Sequence, residues 1–527
     1  MKEELDCLLV GYKELSLEER RLMAKGNIAA LNYCKHEYIE YNDKFYFYDD
    51  FISEISGNIY KISELPYLGI MYLDNYLKKR NILVNTYSSF DFDKDAIEDD
   101  LNTKEIKVIA LSAVFYTSPI SLIRLVSYFR KKSPDSKIIV GGAYISNEYE
   151  TLSFEKLKSE LVMIGADYYI YDSQGEKTLY SLIEKIKKRE NIDDIENIIE
   201  IREKKCIIHK ENKEHNDINS DIVSYDKLSP RLQFSTINIR TARGCPNRCK
   251  FCNYPVRNPK LELQTLDNIK KQILDLYNID RVKNIVFIDD SFNMPLNRFK
   301  DICKMMIELG SRKPWYSYFR ISHCDEEAIA LMKESNCEGV FLGIESADNK
   351  VLENMNKRTT YEQYIEALLL LKKYRINTFA YFLIGFPGET DETIEKNIEL
   401  LNSGLIDFYS FNLWYAENNT PIFDLKEKYK LKGEGFNWEH YTMNSVQAAS
   451  KMDYIYENVE NSIYIPGENF SFWGVPYLLG KGIKLQGIKE VLINIRKYIL
   501  LENDFSTKYE LINEMKKVLC YTNNCGI

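Results

Sequence analysis

Three cysteines fall within eight residues of one another in the stretch RTARGCPNRCKFCNYP: Cys245, Cys249 and Cys252, spaced Cys-x3-Cys-x2-Cys. A structural zinc site closes four positions, with two Cys-x2-Cys pairs or with cysteine and histidine pairs. Here the nearest histidines, His209 and His215, lie thirty or more residues upstream. Zinc is therefore a poor fit. Three thiolates on one loop instead suit three irons of a [4Fe-4S] cluster, with the fourth iron left open to an exchangeable ligand.

Such a loop needs a scaffold. From residue 236 the chain alternates short apolar runs with amphipathic stretches: STINIRTARGC, then LDNIKKQILDLYNI, NIVFIDD, NRFKDICKMMIEL, WYSYFRIS, DEEAIALMKESN, GVFLGIES, and on to DFYSFNLWYA. About six strand and helix units are expected, two short of an eight-fold barrel, so a partial (β/α)6 TIM barrel is the reading, with its site at the carboxyl ends of the strands. The cysteine loop follows the first of those strands.

An earlier alternation runs from Pro66. PYLGIMYLDNYLKKR reads as a helix, Ile82 to Tyr87 as a strand, and IKVIALSAVF, KIIVGG and ADYYIYD as further strands separated by amphipathic helices. A parallel sheet with helices on both faces is expected, a Rossmann-like or flavodoxin-like α/β domain. Its ligand edge would carry Ser112, Gly141, Gly142, Gly175 and Glu176. The expected boundaries are 1–185 for this domain with its leading segment, 186–235 for a charged linker with one hairpin at EKK, 236–424 for the barrel, and 425–527 for a mainly helical C-terminal domain.

Composition narrows the partners. A chain of 527 residues with a formal charge of -9 is no polyanion binder, which argues against nucleic acid and anionic membrane. It has no run of 18 apolar residues, and its start lacks the features of a signal peptide, so a cytoplasmic protein is expected. Eleven scattered cysteines with one tight cluster suit reduced thiols rather than a disulfide framework.

Cys-x3-Cys-x-aromatic-Cys, with Phe251 as the aromatic, resembles the signature of radical S-adenosylmethionine (SAM) enzymes. The resemblance implies that S-adenosylmethionine binds the open iron and that one electron cleaves it to methionine and a 5'-deoxyadenosyl radical, which abstracts hydrogen. It also implies a flavodoxin- or ferredoxin-type electron donor. Glu345 and Ser346 of GIES, Arg320 at the end of the third strand, and Gly385 of IGFPGET match cofactor-contacting positions. Where many members carry Gly-Gly-Glu, this chain has IDDSF, and Asp289 or Asp290 would supply the acceptor for the methionine amino group.

The N-terminal half resembles the cobalamin-binding domain found before some radical barrels, in PYLGIMYLDNYLKKR, ALSAVFYTSP, IIVGGAYIS and IGADYYIYDSQGEKTL. No histidine lies between His36 and His209, so an Asp-x-His-x-x-Gly loop for the lower face of cobalt is absent. Longer stretches, among them NIVFIDDSFNMPLNRFKDIC and FNWEHYTMN, resemble the phosphinothricin-type radical P-methyltransferases, to which proteusin peptide epimerases are related.

That resemblance implies a cobalamin-dependent methyltransferase of natural-product biosynthesis, acting on an unactivated carbon or phosphorus centre of a small-molecule, peptide or carrier-bound substrate. The alternative is a radical peptide epimerase, in which Cys324 returns a hydrogen atom; a non-catalytic cobalamin or iron-sulfur sensor is a third reading. His440 is a candidate acid or base. Trp414, Tyr415, Glu417, Trp438 and Glu439 are candidates for a substrate pocket or an apolar interface.

Overall fold

In EELDCLLVGY every residue from Leu5 to Gly11 is buried, so polarity does not alternate; such a run is what a strand covered on both faces requires. The computed structural model, which describes residues 2–16, 19–20, 24–116, 118–232, 234–467, 470–501 and 504–520, places this strand, Glu3–Tyr12, inside a seven-stranded sheet. The spatial order is Val84–Ser89, Glu3–Tyr12, Lys104–Ser112, Lys137–Gly141, Tyr168–Ile170, Ile198–Arg202, Lys205–Ile208. The first five strands are parallel.

Leu8 and Val10 face a layer formed by helices Ile120–Lys132 and Phe154–Ile164, through Leu122, Leu125, Phe129, Leu157 and Leu161. Helices Leu68–Lys78 and Glu176–Lys188 pack against each other and against the first strand. The sheet is therefore sandwiched, as expected.

The stretch expected to be a linker is different. Ile198–Arg202 and Lys205–Ile208 form a hairpin that extends the sheet antiparallel, turning through Glu203 and Lys204 at φ 50° and 64°. Positive φ at both turn residues is what a two-residue hairpin needs.

Two compact units emerge: Met1–Met23 with Ser63–Phe234, and Ala24–Ile62 with Ser235–Ile527. The second holds seven parallel strands in chain order: Thr236–Ile239, Asn284–Phe287, Trp315–Phe319, Cys337–Glu345, Asn377–Ile384, Phe408–Leu413 and the two-residue Ile463–Tyr464. No ladder joins the first to the last among the described residues, which makes it an open, partial barrel.

Two boundaries of the sequence reading are corrected here. Residues 425–527 are not a separate body, because helix Ser445–Asn458 packs on the fifth and sixth strands. Residues 24–62 join the same unit: helix Ile28–Tyr33 lies on Ser445–Asn458, and helix Tyr48–Ser56 lies on Phe505–Cys520. His36 seals the first of these contacts, its Nε2 2.6 Å from Asp453 Oδ1 and its ring stacked 4.1 Å from Tyr456. No helix among the described residues is long and apolar enough to cross a membrane.

Candidate active site

The cysteine loop is set by its glycine. Gly244 has φ +86°, and a Cβ there would lie 2.1 Å from the Lys260 carbonyl oxygen, so only glycine turns the chain into Cys245. The strand pair Ala242–Arg243 and Glu262–Leu263 braces the turn. Downstream, Lys250 N–H donates to Met355 O at 2.9 Å, and Asn356 Nδ2 donates to Arg248 O at 2.7 Å. The loop is thus tied to the segment after the fourth strand.

The three sulfurs keep company without closing on one point. Burial first, then the neighbouring Cys249 and Cys245 sulfurs, push the Cys252 thiol up to about 12. Yet no group of three or more His, Cys, Asp or Glu among the described residues is placed to hold a single metal ion. A cubane cluster puts each thiolate on a different iron, so that wider spacing suits it. Two N–H donors point at the sulfurs: Asn247 Nδ2 is 3.5 Å from Cys245 Sγ, and an Arg320 guanidinium nitrogen is 3.7 Å from Cys249 Sγ. These residues fit a [4Fe-4S] cluster.

Asp289 and Asp290 divide their roles. Asp289 is fully buried, and its carboxylate accepts from Thr241 N at 2.6 Å, Ala242 N at 3.0 Å and the Thr241 hydroxyl. Both oxygens are committed to the strand that feeds the cysteine loop, which removes Asp289 as a cofactor contact. Asp290 is water-accessible although protein surrounds it on most sides, the position of a group lining a cavity. Burial raises its carboxyl to about 6, against a hydrogen bond from Tyr254.

Arg320 bridges Cys249 Sγ and the Lys357 carbonyl, which accepts from its second nitrogen. Lys357 Nζ in turn pairs with Glu345 Oε1 at 2.8 Å, with only 9% and 13% of the two side chains accessible. Glu345 takes φ 64° at a bulge in the fourth strand, and Phe251 lies edge-on to Phe386 with Lys357 Nζ 5.7 Å from its ring centre. Ser346 is fully buried and its hydroxyl accepts Asp348 N–H at 3.2 Å, so it shapes the turn into helix Asn349–Asn354 and presents nothing to a ligand.

Along the strands of this barrel the burial pattern breaks at every second residue. Ile288 and Asp290, Tyr318 and Arg320, Gly343 and Glu345, Tyr381 and Leu383, and Asn412 are the accessible positions, with their neighbours buried. Period two puts the strand positions Tyr318, Gly343, Tyr381, Leu383 and Asn412 on one face, the inside, so they line a hollow at the carboxyl end, while Ile288, Asp290 and Arg320 follow just past the ends of their strands and Glu345 sits at the bulge. Beneath it, Phe341, Phe379, Phe408 and Phe472 stack as a buried floor, Phe379 on Phe408 at 4.7 Å and 9°.

The model of the radical SAM superfamily matches residues 239–401, the span holding the three cysteines, Asp290, Arg320, Glu345 and Gly385. Over those residues the chain is similar to the radical SAM superfamily. An uncharacterized methyltransferase of Pyrococcus horikoshii is 28% identical over 229 residues, 41% of this chain and 50% of that protein, so the chain spans about half the length of this curated relative. Two solved structures share the fold. OxsB, a cobalamin-dependent S-adenosylmethionine radical enzyme bound to aqua-cobalamin and S-adenosylmethionine, matches with a TM-score of 0.55 at 17% identity, over 98% of this chain and 71% of that one. The radical S-adenosylmethionine methyltransferase TsrM of Kitasatospora setae, with cobalamin and a [4Fe-4S] cluster, matches with a TM-score of 0.56 at 17% identity, over 69% and 72%.

Two candidates for proton or hydrogen transfer are engaged elsewhere. His440 Nε2 donates to Gly385 O at 2.9 Å and its Nδ1 accepts from the Thr442 hydroxyl at 3.0 Å, with the ring stacked on Trp438. Burial lowers it to about 4, so it is neutral at ordinary pH and supports the glycine turn. A Cβ on Gly385, at φ +94°, would come within 2.6 Å of the Trp438 ring, so the turn is packed from outside and not opened to a ligand there. Cys324 donates its S–H to Ile321 O at 3.1 Å, and burial raises its thiol to about 11. Glu417 accepts from Asn253 Nδ2 of the cysteine loop, Trp438 Nε1 donates to Trp414 O at 2.8 Å, and Glu439 pairs outside with Lys432; Tyr415 is exposed. The tail residues are mostly scaffold.

In the first unit, the carboxyl edge presents the 52%-exposed ring of Phe115, edge-on to Tyr12 and Tyr67. Ser112 ends the third strand of the sheet, and Gly142, at φ +122°, packs where a Cβ would be 3.0 Å from the Ala113 backbone. Gly141 adjoins it on the same strand end. Gly175 and Glu176 do not offer the open helix start expected of them. Glu214, from the stretch read as a linker, fills it, accepting Lys177 N–H at 3.0 Å and Thr178 N–H at 2.7 Å, while Asn216 Nδ2 bridges Glu176 and Glu214. A carboxylate satisfies free N–H groups and the positive end of the helix dipole. Neither Glu214 nor Lys357, Tyr254 and Thr241 carries a spacing signal in the sequence; each matters through a tertiary contact.

Proposed function

We propose that this chain is a radical SAM methyltransferase that uses a corrinoid held by its first unit. What carries the reading is the exposed Phe115 ring beside Ser112 and Gly142, at the edge where such sheets bind ligands, in a chain that shares its fold over nearly its whole length with a cobalamin-dependent radical enzyme. An apolar ring left in water at a ligand edge fits the flat face of a corrin.

When bound, the reduced cluster with S-adenosylmethionine supplies a hydrogen-abstracting radical, and a methylated corrinoid supplies the methyl group. The chain's own residues do the rest. Cys245, Cys249 and Cys252 hold iron, and Arg320 donates to the Cys249 sulfur. Asp290 offers a carboxylate acceptor on the hollow for the amino group of S-adenosylmethionine. The Lys357 and Glu345 pair keeps the segment below the cysteine loop fixed and dry.

The substrate is a small molecule, a peptide or a carrier-bound intermediate of a natural-product pathway, and a flavodoxin- or ferredoxin-type protein delivers the electron. Epimerisation is disfavoured because it needs a thiol open to the hollow, whereas the Cys324 S–H is given to Ile321 O. The test is anaerobic reconstitution with iron, sulfide and hydroxocobalamin. One corrinoid retained per chain after gel filtration is expected, together with 5'-deoxyadenosine on reduction. A chain that releases 5'-deoxyadenosine yet retains no corrinoid would overturn methyl transfer.

A further inference from the structure

The segment that carries the three cysteines has a charge unlike that of the whole chain. From Arg240 to Lys260 there are six cationic side chains and no carboxylate, in a protein whose formal charge is -9. Arg248 and Lys260 are exposed, and neither side chain has a partner among the described residues. The surrounding carboxylates are engaged: Glu262 pairs with Arg243 at 3.4 Å, Glu353 pairs with Lys350 at 2.7 Å, and Glu417 accepts from Asn253 Nδ2.

Backbone contacts put both cations beside the cluster seat. The position a Cβ would take on Gly244 lies 2.1 Å from the Lys260 carbonyl oxygen and 3.1 Å from that of Asn258, so the end of the segment lies against the residue before Cys245. Arg248 directly precedes Cys249, and its carbonyl accepts from Asn356 Nδ2 at 2.7 Å. The same segment carries apolar surface: Val256 is 56% exposed on helix Tyr254–Arg257, and Pro246 and Pro259 are exposed. Pro246 and Arg248 are each one residue from a cysteine, so very little chain separates the cluster ligands from water.

We propose that Arg248, Val256 and Lys260 form the docking face for an acidic flavodoxin-type protein, which sets carboxylates against the two cations and the apolar benzenoid edge of its flavin against Val256. At this face the reduced carrier gives up one electron and the cluster takes it, with no bond made or broken. The assignment rests on the reading of the three cysteines as ligands of a [4Fe-4S] cluster, and it names the surface that the reductant uses. Unpaired cations beside an exposed apolar side chain mark an interaction site. Electron-transfer encounters bury little area, so a patch of this size suffices, and opposite charge chiefly speeds the encounter. A ferredoxin would use the cations but has no flavin edge to place on Val256.

Isothermal titration of the full chain with oxidised flavodoxin tests the face without turnover. Binding is expected to weaken about tenfold between low and physiological ionic strength, and about threefold in each of Arg248→Glu and Lys260→Glu. Val256→Ser is expected to weaken flavodoxin and to leave binding of an acidic ferredoxin unmoved. Lys204→Glu, an equal change of charge on the exposed hairpin of the first unit, is expected to bind as the native chain does. On reconstituted samples, 5'-deoxyadenosine formation driven by reduced flavodoxin is expected to fall in the Arg248 and Lys260 variants, and formation driven by dithionite to stay native. Salt-independent binding, charge variants that bind like the native chain, equal weakening by Lys204→Glu, ferredoxin binding that Val256→Ser also weakens, or an equal fall with dithionite overturns the proposal. A native chain that binds flavodoxin yet yields no product with dithionite overturns the cluster reading instead, so the two failures are read separately.

Discussion

Glu389 and His440 grip opposite sides of one glycine: the Glu389 carboxyl accepts Gly385 N–H, and His440 Nε2 donates to Gly385 C=O. Burial drives their protonation in opposite directions, raising Glu389 from 4.5 to about 8 and lowering His440 from 6.5 to about 4. Both are uncharged near pH 6. Glu389 binds its proton more tightly folded than unfolded, so its contribution is full below pH 4.5 and is lost as pH rises toward 8. His440 binds its proton less tightly folded, so its contribution is full above pH 6.5 and is lost as pH falls toward 4. Between 4.5 and 6.5 the two slopes cancel. From pH 6.5 to 8 only the Glu389 slope remains, about 2 kcal/mol. Denaturant melts across pH are expected to show that fall in the native chain and not in Glu389→Gln; an identical profile in both would remove Glu389 as its source.

The neighbouring aspartates should separate by what is lost. Asp289→Ala strips three hydrogen bonds from Thr241 and Ala242, a loss of about 3 kcal/mol, and with it the seat of the cysteine loop. Reduced iron per chain and a lower melting temperature are expected. Asp290→Asn should keep iron and stability while weakening S-adenosylmethionine about tenfold, the scale of one charge-assisted contact. Equal iron loss in both variants would contradict the division.

Lys357→Met leaves the Glu345 carboxylate unpaired where little water reaches it. The expected cost is about 3–5 kcal/mol, and the double variant Lys357→Met, Glu345→Gln should recover most of it. Calorimetry on the four proteins of that cycle decides the matter; a Lys357→Met melt within a degree of the native one would show that the pair is not needed.

Gly244→Ala forces a methyl onto the Lys260 carbonyl at a left-handed backbone position. A loss of about 3 kcal/mol, with the characteristic visible absorbance of the reconstituted cluster diminished, is expected. Full absorbance in this variant would mean that the loop has another way to turn.

The cysteine triplet and the strand and helix alternation were legible because both are local patterns. Division of labour between Asp289 and Asp290 was not: the residues are adjacent and alike, and only the Thr241 backbone, forty-eight positions away, distinguishes them. The hairpin around EKK was legible, but not that it extends the first sheet, because its outer strand is solvated and charged, with Ile207 and Ile208 exposed. The two-residue strand Ile463–Tyr464 is too short to show any period. His440 looked chemical because histidine is rare in this chain, yet both its nitrogens serve the scaffold.

Residues 24–62 follow the first strand of the first sheet, build onto the second unit, and the chain returns at Ser63. The polypeptide therefore crosses between the units three times, near residues 24, 63 and 235. A chain ending at Phe234 keeps every residue of the first unit but leaves residues 24–62 without the elements they pack on, and no single cut yields the second unit whole without the first. During synthesis, Tyr33 and His36 emerge long before Asn412 and Asp453, their partners, so the earliest-made part of the second unit must wait unpaired for nearly the whole chain. Such late closure is slow and leaves apolar surface open in the meantime. Recombinant production should consequently depend on chaperone supply and low temperature more than final stability alone would suggest.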